Sequence, residues 1–105
     1  MRLNPQYLGA LNALGQTYVH ARQYEEAIAI FKKILARNPD HWPGHWGLAV
    51  IYSESGREEE AKAEGAEILR IIPNFSLERW KQRVFFKDPE ITERWAAAQR
   101  KAGLK

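Results

Sequence analysis

Apolar residues in the first forty positions follow the spacing of two helices that pack on each other. The first stripe has the helical spacing i, i+3, i+4 and i+7 and consists of Leu11, Leu14, Gly15 and Tyr18. The facing stripe consists of Ala27, Phe31 and Ile34. The small residues Gly15 and Ala27 let the two backbones approach, so the pattern predicts a helical hairpin.

The hairpin pattern repeats along the chain. Prolines at positions 5, 39 and 73 are spaced by 34 residues, and a fixed period of that size is typical of stacked helical arrays. A shift by one period brings the second unit onto the small and apolar positions of the first, at Leu48, Ala49, Tyr52 and Ala61. The chain is therefore predicted to contain two successive hairpins.

These residues resemble the tetratricopeptide repeat family, whose pattern runs W-x2-L-G-x2-Y, then A-x3-F, then P. The first unit has Leu11 in the Trp place and otherwise keeps L-G-x2-Y, A-x3-F and the closing Pro39. The second unit departs from the first at His45, Glu58 and Gly65. The resemblance implies an all-α fold, a right-handed superhelical stack of helical hairpins.

The predicted organisation is a single domain over residues 1–105. Its parts are a remnant of a preceding repeat (1–5), a first repeat (8–41), a second repeat (42–75) and a two-helix cap (76–105). Because repeats bury their faces by stacking, a first helix without its neighbour would expose an apolar flank. Residues 1–5 match the last residues of a repeat's second helix, as residues 36–39 do, so we expect a fragment of a larger protein. Self-association through the exposed flank is an alternative role.

Six helices are predicted, over residues 6–20, 23–37, 41–54, 57–71, 76–86 and 89–102. Asp40 is predicted to cap the third helix, and Asp88-Pro89 to begin the last one. Gly65 lies within the fourth helix, where glycine costs about 1 kcal/mol relative to alanine. We expect a bulky neighbour to pack there, with Trp80 or Phe85 as candidates.

The C-terminal segment carries a second, less specific resemblance. The stretches N-F-S-L-E-R-W, F-K-D-P-E and R-K-A-G-L look like the end of tetratricopeptide regions in some bacterial adenylate or guanylate cyclase-type signalling proteins. This implies at most that the parent chain is a bacterial multidomain regulator.

Charge is concentrated in this C-terminal segment. The whole chain has a net charge of +3, and residues 78–105 contain eight basic and four acidic residues. A solvated face on an end helix is the expected interpretation, and weak nucleic-acid binding by the basic tail is an alternative. The absence of cysteine excludes disulfides and Cys-ligated zinc but does not fix the compartment. Because no apolar run is long enough for a spanning helix and the N-terminus lacks the apolar run of a signal peptide, we expect a cytoplasmic protein without membrane contact.

Catalytic chemistry is not predicted. His41 and His45 are four residues apart, which is a metal-capable spacing, but no H-E-x-x-H motif is present and a structural role is expected for both. No glycine-rich phosphate loop appears either. The sequence predicts no enzyme activity, no metal site and no cofactor.

The family resemblance instead implies partner binding on the concave face, which is lined by the first helix of each repeat. The residues carried over to that face are Asn12, Gln16, Val19 and His20 from the first repeat, and Trp46, Val50, Ser53 and Glu54 from the second. Asn12, Gln16 and His20 also form one polar stripe by their spacing alone. For Trp46, packing against the capping helices is an alternative to partner contact.

The predicted function is a non-catalytic scaffold that binds a protein or peptide segment in the groove. Family members that grip the acidic C-terminus of heat-shock chaperones use Lys or Arg and Asn at matched positions. Here those positions hold Asn12, Gln16, Trp46 and Val50, so a chaperone-tail receptor is not expected.

Overall fold

The computed structural model describes residues 5–83 and 89–105. Six α-helices and no strands occur in these two ranges. The helices are α1 (Pro5–His20), α2 (Tyr24–Arg37), α3 (Trp42–Glu54), α4 (Glu58–Ile71), α5 (Leu77–Arg83) and α6 (Pro89–Lys101). The all-α prediction is confirmed, and the first four helices begin and end within one residue of the predicted limits.

Two antiparallel hairpins, α1–α2 and α3–α4, stack on each other, with α3 packed against both helices of the first hairpin. Phe31 lies fully buried at the centre of this contact. A Cβ added at Gly15 would lie 2.7 Å from the Phe31 ring, and one at Gly47 would come closer still. The glycines of α1 and α3 therefore make the space that the Phe31 ring fills.

Leu14 is exposed, although the other residues of its apolar stripe on α1 are buried or half-buried. Its side chain is 42% exposed, whereas Leu48, one period later, is 2% exposed. Leu48 is buried because α3 packs on the first hairpin, and α1 has no corresponding helix on its outer side within the described residues. The repeat pattern predicts a buried leucine at position 14, but this burial requires a second hairpin packed against the outer side of α1.

The predicted cap of α3 is wrong. Because α3 begins at Trp42, the N-cap residue is His41, whose side chain makes no cap hydrogen bond. The Asp40 carboxylate instead accepts a hydrogen bond of 2.8 Å from the guanidinium of Arg70. The predicted cap at Asp88 lies outside the described residues.

The last helix, α6, folds back onto α3 and also contacts α4 and α5. The backbone N–H of Leu77 donates to the carbonyl of Lys105 at 2.9 Å, which holds the chain end beside α5. At Gly65 the close neighbour is the backbone carbonyl of Ala102. The expectation of Trp80 there is therefore wrong, because α6 crosses α4 at this point, and Phe85 lies outside the described residues.

No helix in the described ranges has both the length and the apolar character needed to cross a membrane.

Candidate functional site

The predicted partner-binding face is largely covered by α6. Trp95 of α6 is almost fully buried, and its ring lies edge-on to Trp46 of α3 with centroids 5.2 Å apart. The Trp95 ring also approaches the ring of His20 in α1, with centroids 4.6 Å apart. A single tryptophan therefore joins α6 to the first helices of both repeats.

Polar contacts fix α6 along the same face. The buried Ser53 hydroxyl donates a 2.8 Å hydrogen bond to the backbone carbonyl of Ala98. The Glu54 carboxylate forms a 2.8 Å ion pair with Arg94 and accepts a 3.0 Å hydrogen bond from the hydroxyl of Tyr24. Burial, reinforced by the Glu54 charge, holds the pKa of Tyr24 above its ordinary value. Glu54 thus links α2, α3 and α6.

The predicted partner-binding residues fall into three groups by exposure. Those buried are Val19, Trp46, Val50 and Ser53; those half-buried are Asn12, Gln16 and Glu54; His20 is exposed. Trp46 packs against Trp80 as well as Trp95, which is the packing alternative considered for it. Contact of these eight residues with a partner is untested and stays a prediction.

Two features of the sequence could have indicated that α6 returns to this face. Gly65 lies one period after Phe31. The second hairpin therefore has no aromatic ring at the position that Phe31 occupies in the first hairpin. The α6 sequence also contains three successive alanines, and the buried Ala96 and Ala98 allow a close approach of two helices. Neither feature alone identifies the segment that fills the space.

The surface also contains an open pocket of about 510 Å³. It lies between α1, α3 and α5, and we call it the α1–α5 pocket; its principal lining residues are Gln16, Trp42, Phe75, Arg79, Trp80 and Arg83. Gln16 belongs to the predicted partner-binding set, whereas the arginines and aromatic residues come from positions that the repeat pattern did not single out. The sequence places them far apart, so reasoning from the repeat missed this pocket.

The pocket is positively charged. Arg79 and Arg83 are its ionisable lining residues, and both are exposed. Among the described residues no carboxylate lies within ion-pair distance of either guanidinium. Their spacing of four residues puts them on the same side of α5. The arrangement offers two guanidinium groups beside aromatic surface, and neither has a carboxylate partner in residues 5–83 and 89–105.

His45 has a structural environment. Its ring is buried, Nδ1 lies 2.7 Å from the Glu64 carboxylate, and Nε2 lies 2.8 Å from the carbonyl oxygen of Pro39. Both ring nitrogens are thus engaged with protein acceptors, and the ring ties α3 to α4 and to the preceding loop. This geometry fits the structural role predicted for His45.

Comparison with known proteins agrees with this architecture. A profile of the tetratricopeptide repeat family matches residues 18–82, and the chain belongs to that family. Members of the family are generally protein-interaction modules and typically non-catalytic.

One similar protein is "Cellulose synthase operon protein C" of Pseudomonas fluorescens (strain SBW25), which is 38% identical over 60 residues. The matched stretch is 57% of this chain but 5% of that protein, so the chain spans a small part of its relative. No solved structure matches the chain.

Proposed function

We propose that this chain is a non-catalytic protein-interaction module that binds a peptide or protein segment on the side of the hairpin stack where α1 and α3 face α5. Family membership supports the general role. The observation that carries the proposal is the open α1–α5 pocket, which leaves part of this side accessible while α6 covers the rest.

Within the predicted binding set, the residues of α1 are the best placed to reach a partner. Gln16 lines the pocket, and Asn12 lies one turn before it on the same polar stripe. Their amide groups can hydrogen-bond to the backbone of an extended segment. Trp46, Val50 and Ser53 would contact a partner only after α6 had left them.

Selection from a random peptide library displayed on beads, with the full chain as bait, tests the proposal. We expect a common motif to be enriched and its binding to weaken by at least about tenfold in Trp42→Ala, because an aromatic anchor in a pocket contributes strongly to affinity. Leu69→Ala is the matched control, since Leu69 is as exposed as Trp42 but does not line the pocket.

Two results would contradict the proposal. One is enrichment no greater than on an unrelated helical protein. The other is equal affinity of the selected peptides for the Trp42→Ala variant and the unmodified chain.

Self-association through the outer face of α1 is a second candidate, favoured by the exposure of Leu14. Light scattering at low and high micromolar protein would then show a dimer that dissociates on dilution, and Leu14→Lys would abolish it. A monomeric mass at both concentrations would exclude this candidate.

We also propose that the chain is part of a larger cytoplasmic bacterial protein. The bacterial relative and the small share of it that the chain spans support a larger bacterial protein, and the cytoplasmic location stays a prediction. The likeness of the C-terminal segment to cyclase-type signalling proteins stays a prediction, as does the division into repeats at residues 8–41 and 42–75.

A further inference from the structure

We infer that the α1–α5 pocket recognises an acidic segment of a protein partner, in which an Asp or Glu side chain neighbours a bulky apolar residue. This inference deepens the proposed interaction function and rests on it. It is carried by the charge, the exposed aromatic surface and the size of the pocket.

Arg79 and Arg83 give the pocket its positive charge. Three other arginines of the described chain have carboxylate partners: Arg57 pairs with Glu60, Arg70 with Asp40 and Glu67, and Arg94 with Glu54. Arg79 and Arg83 have no such partner among the described residues, although they lie on one side of α5 and line the same pocket. Guanidinium groups bind carboxylates through paired, charge-assisted hydrogen bonds. A carboxylate is therefore the complementary ligand.

The apolar requirement follows from the aromatic lining. Trp42 is 37% exposed, and Phe75 is half-buried at the pocket wall. The volume of about 510 Å³ is within the range of ligand pockets, which accept a few side chains and not a folded domain. A peptide that places one bulky apolar side chain against Trp42 and an adjacent carboxylate at the arginines would satisfy both features.

A protein segment fits the pocket better than a nucleic acid does. Single-stranded nucleic acids bind along an extended basic groove and stack their bases on exposed aromatic faces. Of the two tryptophans in the lining, Trp42 is 37% exposed and Trp80 only 9%, so a row of bases would find a single exposed indole ring. The cations of the pocket are confined to one side of the short helix α5. The pocket therefore offers a local binding site for an anionic group and not a track for a phosphate backbone.

The decisive experiment repeats the bead-displayed peptide selection on the full chain and measures binding of the selected peptides by fluorescence anisotropy. We expect Asp or Glu next to an aromatic or large aliphatic residue in the enriched peptides. Arg79→Gln and Arg83→Gln should each weaken binding by about tenfold, because each removes a charge-assisted hydrogen bond. Rising salt should weaken binding as well.

The double variant Lys32→Gln/Lys33→Gln is the matched control. It changes the net charge as much as Arg79→Gln/Arg83→Gln does, but its two exposed lysines are on α2, away from the pocket. We expect it to bind the selected peptides like the unmodified chain. Far-UV circular dichroism of both double variants verifies that the helices remain folded.

Other outcomes of these binding experiments would contradict the inference. Enriched peptides without an acidic bias, or peptides that the arginine double variant still binds fully, would overturn this inference and leave the interaction function in place. No enriched peptide at all would overturn both. An oligothymidine bound by the chain and lost in the arginine double variant would assign the pocket to nucleic acid instead.

Discussion

Replacing Gly65 with alanine probes the contact between α4 and the end of α6. An added Cβ would lie far inside contact distance of the Ala102 carbonyl oxygen and 3.1 Å from the carbonyl carbon of the same residue. Because the obstructing atoms belong to the backbone, no change of rotamer can relieve the overlap. The end of α6 would have to move by about 1 Å to restore an ordinary contact.

Two opposing terms set the expected change in the free energy of unfolding. Alanine in a helix interior is favoured over glycine by about 1 kcal/mol. Overpacking costs about 1–3 kcal/mol, and we expect the upper part of that range because the backbone cannot rotate away. Gly65→Ala should therefore lower the free energy of unfolding by about 1–2 kcal/mol net.

Gly9→Ala is the matched control, because an added Cβ on α1 at Gly9 would meet no atom of the described residues within 4 Å. It should stabilise the protein by up to about 1 kcal/mol through helix propensity alone. Urea unfolding followed by circular dichroism and tryptophan fluorescence compares the two variants. If Gly65→Ala proved as stable as Gly9→Ala, the close packing of α6 on α4 would be refuted.

Two further predictions concern burial and the polar contacts of α6. Leu48→Ala should lower the free energy of unfolding by about 2–5 kcal/mol because it empties part of the core, whereas the period-related Leu14→Ala should change it by less than about 0.5 kcal/mol. Equal effects in urea unfolding would contradict the difference in burial. Ser53→Ala should cost about 1 kcal/mol, because the hydroxyl bonds to α6, and Ser55→Ala, which removes a hydrogen bond within α3, should cost less. If thermal unfolding showed a larger loss of stability for Ser55→Ala than for Ser53→Ala, the hydrogen bond between Ser53 and α6 would be contradicted.

Local pattern was sufficient to predict the helical hairpins. The 34-residue period, the small residues at Gly15 and Ala27 and the stop at Pro39 all act within one helix or between adjacent helices. Such signals depend on short-range geometry, which is why the limits of α1 to α4 agree with the predicted ones. Local pattern does not predict burial at the leucine position of the repeat. Leu14 is exposed and Leu48, one period later, is buried, because α3 packs on the first hairpin whereas α1 has no corresponding helix on its outer side within the described residues.

The tertiary structure alone decided where α6 lies and hence what the partner-binding face looks like. The sequence by itself determined an all-α repeat protein with a polar stripe on α1, and these follow from periodicity. The contacts of Trp95 with Trp46 and His20 join segments far apart in the chain that share no repeat, so no spacing rule predicts them. The α1–α5 pocket likewise exists only because folding brings Gln16, Trp42 and Arg79 together.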